Sequence, residues 1–191
     1  MSDQELRPSD ALLDTVLDEM RGVLAAVDAG QLDALASTLL AARRVFVAGE
    51  GRSGFMAKAF AMRLMHLGLP VHVIGETTTP AVAEGDTVVA VSGSGTTAGT
   101  VRVAEQAVKV GAEVHAVTTA PQSPLGVLAA SVVLLPAATK YRRPGEAASV
   151  QPLSSLFDQA THVALDVVAL RLAGLAHVGH AQARAAHANT E

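Results

Sequence analysis

The sequence has no cysteine and no tryptophan, and aromatic residues make up only 3% of its 191 residues. Without cysteine the chain can form no disulfide bond, no thiolate metal site and no thiol nucleophile. Charged residues are also scarce, at 17%, and the net charge is −4. Because no basic patch interleaves with aromatic side chains, this composition argues against a nucleic-acid partner.

Long hydrophobic runs are missing as well. No stretch of about 18 uninterrupted apolar residues occurs, so we predict no membrane span. The N-terminus lacks the basic segment followed by an apolar one that marks a signal peptide, and we therefore expect a cytoplasmic protein. Yet 50% of the residues are hydrophobic, which predicts that some helix faces are buried between the subunits of a homo-oligomer.

The pattern of apolar residues predicts one domain over residues 1–191. Residues 1–44 are predicted as two helices, residues 45–173 alternate between short strands and helices, and residues 174–191 form a tail rich in Ala and His. Five strands with helical crossovers predict a parallel sheet covered on both faces, an α/β fold of three layers. The predicted strands are 45–48, 71–74, 87–91, 114–117 and 132–135, and the helix after the first strand is predicted from residue 54.

The stretch 92–97, Ser-Gly-Ser-Gly-Thr-Thr, lies where an apolar, β-branched strand changes abruptly into a helix. Glycines let backbone N–H groups approach a ligand, hydroxyls add donors, and the helix start supplies unpaired N–H groups with a partial positive charge. This combination favours phosphate. No lysine completes a nucleotide P-loop. The same residues are also typical of a simple turn with a helix cap, so the loop alone leaves both interpretations open.

A second junction of the same kind, residues 49–54, ends the first strand. Ser53 in this junction could donate to the same anion or simply cap the following helix. In an open parallel sheet of order 2-1-3-4-5, strands 1 and 3 flank the point where ligands bind, beyond the carboxyl ends of the strands. Because the two junctions follow these two strands, we expect both to face one ligand.

Four segments resemble the sugar isomerase (SIS) superfamily: 49–55 (GEGRSGF), 61–68 (AMRLMHLG), 75–80 (GETTTP) and 92–97 (SGSGTT). The second and third, with the C-terminal HANTE, are most similar to the 6-phospho-3-hexuloisomerases. The resemblance implies a doubly wound, flavodoxin-like sheet with an N-terminal helical pair, and a dimer or tetramer. It also implies interconversion of D-arabino-hex-3-ulose 6-phosphate and fructose 6-phosphate, within the ribulose monophosphate pathway of formaldehyde fixation.

The resemblance implies a set of substrate-binding residues in the two junctions. Hydroxyl and backbone groups around the phosphate and sugar would come from Ser53, Ser92, Gly93, Ser94, Gly95, Thr96 and Thr97. The implied reaction moves a proton between C2 and C3 through a cis-enediol(ate). It requires no redox cofactor and no metal, so we expect neither.

Asp158 is the candidate base, because it stands where the family carries a glutamate proposed to move the proton. Its side chain is one methylene shorter, a displacement of about 1 Å that matters for proton transfer. The alternative is a carboxylate that stabilises the first turn of its helix. His66 is the second catalytic candidate, for opening the fructose ring, although a histidine on an apolar helix is more often structural.

Other polar residues and one long loop also bear on function. Arg52 could neutralise the phosphate or pair with Glu50, and His162, one turn after Asp158, is predicted as packing or surface. His115 lies in a strand and is predicted as a satisfied core residue. The loop 136–151 is long for a compact domain, and such loops are often functional.

Three other functions remain open at this point. The first is a different phosphosugar isomerase, such as an aldose–ketose enzyme acting on a pentose 5-phosphate, which would use the same loops. The second is a non-catalytic module that senses a sugar phosphate, favoured by Asp158 in place of glutamate. The third is a structural domain with two capped helices.

Overall fold

A computed structural model describes residues 8–143 and 146–190. Its strands are β1 (Val45–Gly49), β2 (Val71–Val73), β3 (Thr87–Val91), β4 (Glu113–Thr118) and β5 (Ser131–Leu134). Its helices are α1 (Ser9–Ala25), α2 (Ala29–Ala41), α3 (Gly51–His66), α4 (Ala98–Lys109), α5 (Pro124–Leu128), α6 (Ser155–Leu175) and α7 (His180–Ala185). All strand pairs are parallel, and the order is β2-β1-β3-β4-β5. The predicted α/β fold and strand order are confirmed.

The sheet separates two hydrophobic cores. The larger core lies between the sheet and helices α2, α3 and α6, with Leu39, Leu64 and Leu165 among its fully buried side chains. The smaller core packs α4 and α5 on the opposite face around Phe46 and Leu125. Strand β3 is buried along its whole length, which explains its run of valine and alanine, since both of its faces are covered.

The N-terminal helical pair packs within the chain. Helix α2 contacts α6 and β5, and α1 contacts α6, while α1 leaves Leu13 and Leu17 largely exposed. In the described ranges no single helix is long and apolar enough to cross a membrane. Helices α1 and α2 have the length and apolar composition of a membrane span only when taken together, and they are bent by 75° relative to each other.

Two helices differ from the sequence expectation. Helix α3 begins at Gly51 rather than at residue 54, so Arg52 and Ser53 lie in its first turn and not in a loop. The C-terminal tail contains a helix that was not predicted, α7, which contacts α3. Alanine-rich sequence has a high helix propensity, but α7 is too short to give a clear periodic pattern.

A buried carboxylate joins the beginnings of β1 and β3. Asp86 is fully buried and accepts hydrogen bonds from Arg43 at 2.9 Å, from Arg44 Nε at 3.0 Å and from the Ala83 N–H at 2.8 Å. Burial by itself would raise the pKa of Asp86, but its hydrogen bonds with Arg44 and Ala83 and the charges of Arg44 and Arg43 outweigh burial and lower the pKa. The carboxylate is therefore stabilised in its ionised form.

Asp86→Asn is expected to lower the free energy of unfolding by about 2–4 kcal/mol near neutral pH, because the arginines lose a buried anionic partner. A carboxyl group with a lowered folded pKa stabilises the fold above its unfolded pKa, and this contribution disappears as pH falls through the folded pKa. The difference in the free energy of unfolding between wild type and variant should therefore become smaller as the pH falls. Urea unfolding from neutral pH to about pH 3 measures it. Asp18→Asn, which affects only an exposed pair with Arg21, should change stability by less than about 1 kcal/mol.

Candidate functional site

The segment Ser92–Thr97 forms a tight turn at the carboxyl end of β3. The hydroxyls of Ser92 and Thr97 are 2.9 Å apart, and the Gly95 N–H donates to the Ser92 carbonyl at 3.1 Å. Ser94 Oγ accepts from both the N–H and the hydroxyl of Thr96, at 3.2 and 2.9 Å. The hydroxyl groups of this turn thus contact one another in pairs at the carboxyl end of β3. The segment Ser92–Thr97 is called the cradle below.

Gly95 is required by the shape of this turn. Its φ of +64° lies in the left-handed region that side chains disfavour. A Cβ added to Gly95 would lie 1.8 Å from the hydroxyl of Ser123, the N-cap residue of α5. The Gly95 carbonyl also accepts a hydrogen bond from the Leu125 N–H at 3.1 Å. The cradle is therefore packed directly against the start of α5.

Helix α4 begins immediately after the cradle. Thr97 is its N-cap residue but makes no capping hydrogen bond with its side chain among the described residues, since its hydroxyl contacts Ser92. The N–H groups of Ala98, Gly99 and Thr100 have no carbonyl partner within their own helix. They add donors and positive partial charge to the hydroxyls of the cradle, which favours an anion. The carboxylate of Glu50 already lies against this turn, 1.7 Å from where a Cβ on Gly99 would be.

The start of α3 lies close to the ends of β1 and β3 because two glycines allow it. A Cβ on Gly54 would lie 2.7 Å from the Gly49 carbonyl, and one on Gly49 would lie 3.1 Å from the Val91 carbonyl. This approach brings the first turn of α3 beside the cradle. Ser53, in that turn, donates its hydroxyl to Asp158 at 2.8 Å rather than capping its own helix.

Asp158 is a buried carboxylate in the first turn of α6, with 3% of its surface exposed. Ser53 donates to one carboxylate oxygen and Arg52 Nε to the other, at 3.2 Å. Burial raises the pKa of Asp158, and the Ser53 hydrogen bond and the Arg52 charge oppose this rise only in part. The result is a carboxylate of increased basicity, held by two donors, in a position with little solvent.

Phe157, the neighbour of Asp158 in the first turn of α6, packs against the cradle. A Cβ on Gly93 would lie 3.0 Å from the Phe157 ring, so the start of α6 packs on the cradle backbone. The Gly93 carbonyl accepts hydrogen bonds from the Thr119 N–H at 3.0 Å and from the Thr119 hydroxyl at 2.8 Å. Ser53, Asp158 and the cradle therefore converge beyond the ends of β1 and β3, where the strand order reverses.

Residues 38–169 match the SIS domain family. The chain belongs to this family. It is 46% identical over 179 residues to the 3-hexulose-6-phosphate isomerase of Mycobacterium gastri, covering 94% of this chain and 89% of that protein. It is 40% identical over 157 residues to the 3-hexulose-6-phosphate isomerase of Bacillus subtilis (strain 168), covering 82% and 85%.

A solved structure supports the same relationship. The crystal structure of a Methanococcus jannaschii protein, from which the function of a 3-hexulose-6-phosphate isomerase was inferred, matches with a TM-score of 0.82. The two chains are 26% identical, and the match covers 95% of this chain and 99% of the other. The resemblance to the SIS superfamily, first seen in four short segments, is confirmed over residues 38–169, and the similarity to the Mycobacterium gastri protein extends over 94% of the chain.

Within one SIS domain the structure does not bring His66 together with Asp158. Ser53 and His66 lie at opposite ends of α3, and 13 residues of helix separate them by roughly 20 Å. His66 instead stacks on His187 of the tail, with ring centroids 5.2 Å apart. Burial, followed by His187 and Arg63, lowers the pKa of His66. A catalytic role for His66 stays a prediction, because within one chain His66 is too far from Ser53 and Asp158 to act on the same substrate atoms.

The remaining polar candidates have structural partners. Arg52 pairs with Asp158, so the alternative pair with Glu50 is wrong. His162 is half-exposed and lies 3.8 Å from Asp166, in agreement with a surface role. His115 is buried as expected but is only partly satisfied: Nδ1 contacts Ser131 at 2.7 Å, while Nε2 makes no hydrogen bond within the described residues and lies 3.7 Å from the Glu113 carboxylate.

Sequence reasoning missed the contacts that hold the long loop. Glu146 accepts the Thr139 N–H at 2.8 Å and the Thr139 hydroxyl at 2.7 Å, and Glu19 on α1 contacts residues 149–151. The only available signal was the polarity of a loop between two apolar segments. That signal does not identify partners so far apart in sequence.

Proposed function

We propose that the protein is an isomerase that interconverts 3-hexulose 6-phosphate and fructose 6-phosphate. The observation that carries this proposal is the buried, raised-pKa carboxylate of Asp158, held by Ser53 and Arg52 beside a cradle suited to phosphate. A cradle alone would suit any sugar-phosphate-binding protein, whereas a basic carboxylate next to it suits proton transfer. The names of the relatives that are 46% and 40% identical support this substrate pair.

The cradle anchors the phosphate. Hydroxyls of Ser92, Ser94 and Thr97 donate to its oxygens, and the N–H groups at the start of α4 add further donors. The Ser92 and Thr97 hydroxyls now contact each other at 2.9 Å, and each can rotate toward a ligand. Anchoring the phosphate fixes the distance to the reacting carbons, which is the main requirement for an efficient proton transfer.

Asp158 moves the proton. Its carboxylate removes the proton from C2 of the 3-ketose, and the electron pair of that C–H bond forms the double bond of an enediol(ate) across C2 and C3. Within the enediol(ate) the hydroxyl proton moves from O2 to O3. The same carboxyl group then returns a proton to C3, which leaves a carbonyl at C2 and a hydroxyl at C3. Burial favours this role because it increases basicity. The hydrogen bonds from Ser53 and Arg52 hold an aspartate whose side chain is one methylene shorter than the family's implied glutamate.

Arg52 also stabilises the intermediate. Its Nε is the nitrogen that pairs with Asp158, so the terminal N–H groups of this side chain, which is 59% exposed, can donate to substrate oxygens. A guanidinium beside the enediolate oxygens stabilises the negative charge that develops in the transition state. The reaction requires neither a redox cofactor nor a metal in this scheme.

We further propose that the protein acts in the cytoplasm as a homo-oligomer, either a dimer or a homotetramer. Large apolar side chains on helices α1 and α6 support this: Leu13 is 64% exposed, Leu17 53% and Leu170 72%. Large apolar side chains exposed on the outer helices of one chain are suited to contacts between subunits. The partner of the site is a small sugar phosphate, and we propose no nucleic-acid or membrane partner.

A coupled assay tests the proposed function. A known synthase makes hexulose 6-phosphate from formaldehyde and ribulose 5-phosphate, and formation of fructose 6-phosphate is followed in the presence and absence of the protein. Ser92→Ala is expected to raise KM by about tenfold with a smaller change in kcat, because one hydrogen bond to a charged group is lost. Ser37→Ala, which removes an exposed hydroxyl on α2, should match wild type. A wild-type protein that is folded and inactive would refute the proposed function.

A further inference from the structure

Glu19 on α1 holds a segment that is about 130 residues away in sequence. Its carboxylate accepts hydrogen bonds from the Ser149 hydroxyl at 2.6 Å, the Val150 N–H at 2.7 Å and the Gln151 side-chain amide at 3.0 Å. Gln151 is buried, with 6% of its surface exposed. Three donors converging on one carboxylate make a fixed attachment point between α1 and the loop before α6.

The attached segment leads directly to the start of α6. The guanidinium of Arg142 donates to the Gln151 carbonyl. The Lys140 N–H donates to Ser154 Oγ at 3.1 Å, and the Ser154 carbonyl accepts the Asp158 N–H at 3.0 Å. The segment held by Glu19 is thus connected through Ser154 to the backbone of the proposed base.

Two residues of this loop have strained backbone conformations. Arg142 and Leu153 have φ values of +46° and +53°, in the left-handed region that residues with a Cβ disfavour. Leu153 is 68% exposed, so packing of its own side chain does not compensate. Strained conformations of this kind persist only where surrounding contacts hold them. The contacts around Leu153 are those of Gln151 on one side and the first turn of α6 on the other.

We propose that Glu19 is a positioning residue for Asp158: by holding residues 149–151 it fixes the Leu153 turn and therefore the start of α6. The catalytic consequence rests on the proposed function. Burial by itself would raise the pKa of Glu19, but its hydrogen bonds with Ser149, Val150 and Gln151 and the charge of Arg142 outweigh burial and lower the pKa. Glu19 therefore remains an anionic acceptor at neutral pH. Releasing it frees the loop and lets Asp158 become more mobile and more exposed to water.

The test compares Glu19→Ala with Asp18→Ala. Asp18 neighbours Glu19 on α1, but it pairs only with Arg21 among the described residues. Glu19→Ala is expected to lower kcat by about tenfold or more, because a misplacement of the base by a fraction of an ångström is costly. KM should stay within about twofold, since the cradle on β3 and α4 is untouched. Glu19→Gln, which keeps an acceptor oxygen, should recover part of the loss.

The titration of Asp158, followed by NMR of its labelled carboxyl carbon without substrate, separates positioning from stability. Glu19→Ala should move the pKa of Asp158 downward, toward the ordinary value, while Asp18→Ala should not. Wild-type kcat in Glu19→Ala would overturn the proposal, and so would a lower kcat with an unchanged Asp158 titration. A folded wild type without turnover would refute the proposed function instead, and the titration would still decide whether Glu19 positions Asp158.

Discussion

Asp158→Asn is expected to lower kcat at least about a hundredfold with little change in the affinity for fructose 6-phosphate. The amide has nearly the same shape, and its oxygen can still accept the Ser53 hydroxyl, but it cannot take a proton from carbon. Loss of a general base commonly reduces the rate by about 10²–10⁴. The coupled assay measures kcat, and thermal unfolding with and without fructose 6-phosphate measures binding.

Asp166→Asn is the matched control, because it makes the same change at a half-exposed carboxylate two turns further along α6. It should retain nearly full activity. The pH profile gives a second readout of Asp158. The base must be ionised, and burial raises its pKa, so kcat/KM should fall with decreasing pH from a point above the ordinary aspartate range. An Asp158→Asn variant with more than about a third of wild-type kcat would remove Asp158 as the base.

Gly95→Ala is expected to damage both the cradle and the fold. The added Cβ would lie 1.8 Å from the Ser123 hydroxyl, and alanine disfavours the φ of +64°. Strain and overpacking together should lower the free energy of unfolding by about 2–4 kcal/mol. The affinity for fructose 6-phosphate should fall by about tenfold or more, because the turn that carries Ser92 and Ser94 has to move. Urea unfolding and calorimetric titration measure the two effects.

Gly22→Ala makes the same chemical change where the structure predicts the opposite sign. Gly22 lies inside helix α1, and an added Cβ there meets nothing within 4 Å. Alanine is the better helix former, so this variant should gain about 0.5–1 kcal/mol of stability and bind normally. A Gly95→Ala variant as stable and as tightly binding as wild type would show that the turn does not require glycine.

The sheet and the cradle could be predicted because their signals are local. Runs such as 87–91 followed by Ser92–Thr97 show a strand, a turn and a helix start in consecutive residues. Strand order then follows from the alternation and from the superfamily resemblance. It predicts that the ends of β1 and β3 meet, and in the structure Ser53 lies there with the cradle.

The pairings around Asp158 could not be predicted, because they join residues far apart in sequence. Arg52 reaches Asp158 across 106 positions and Glu19 reaches Ser149 across 130, and no periodicity encodes either contact. The start of α3 was misplaced since the glycines of 49–54 are typical of a loop. The left-handed backbone conformation of Leu153 could not be predicted either, because glycine is the residue that usually adopts this conformation. The stacking of His66 on His187 depends on a tail whose helix is too short to recognise.

The most direct test of the central claim is hydrogen exchange into fructose 6-phosphate in D₂O, followed by proton NMR. A reversible enediol(ate) across C2 and C3 replaces the hydrogen at C3 with deuterium, whereas an aldose–ketose isomerase would exchange a hydrogen at C1. We predict loss of the C3 proton signal with wild type and a loss at least about a hundredfold slower with Asp158→Asn. Exchange at C1 instead, or neither exchange at C3 nor turnover in the coupled assay by a protein that binds fructose 6-phosphate, would contradict the proposed reaction.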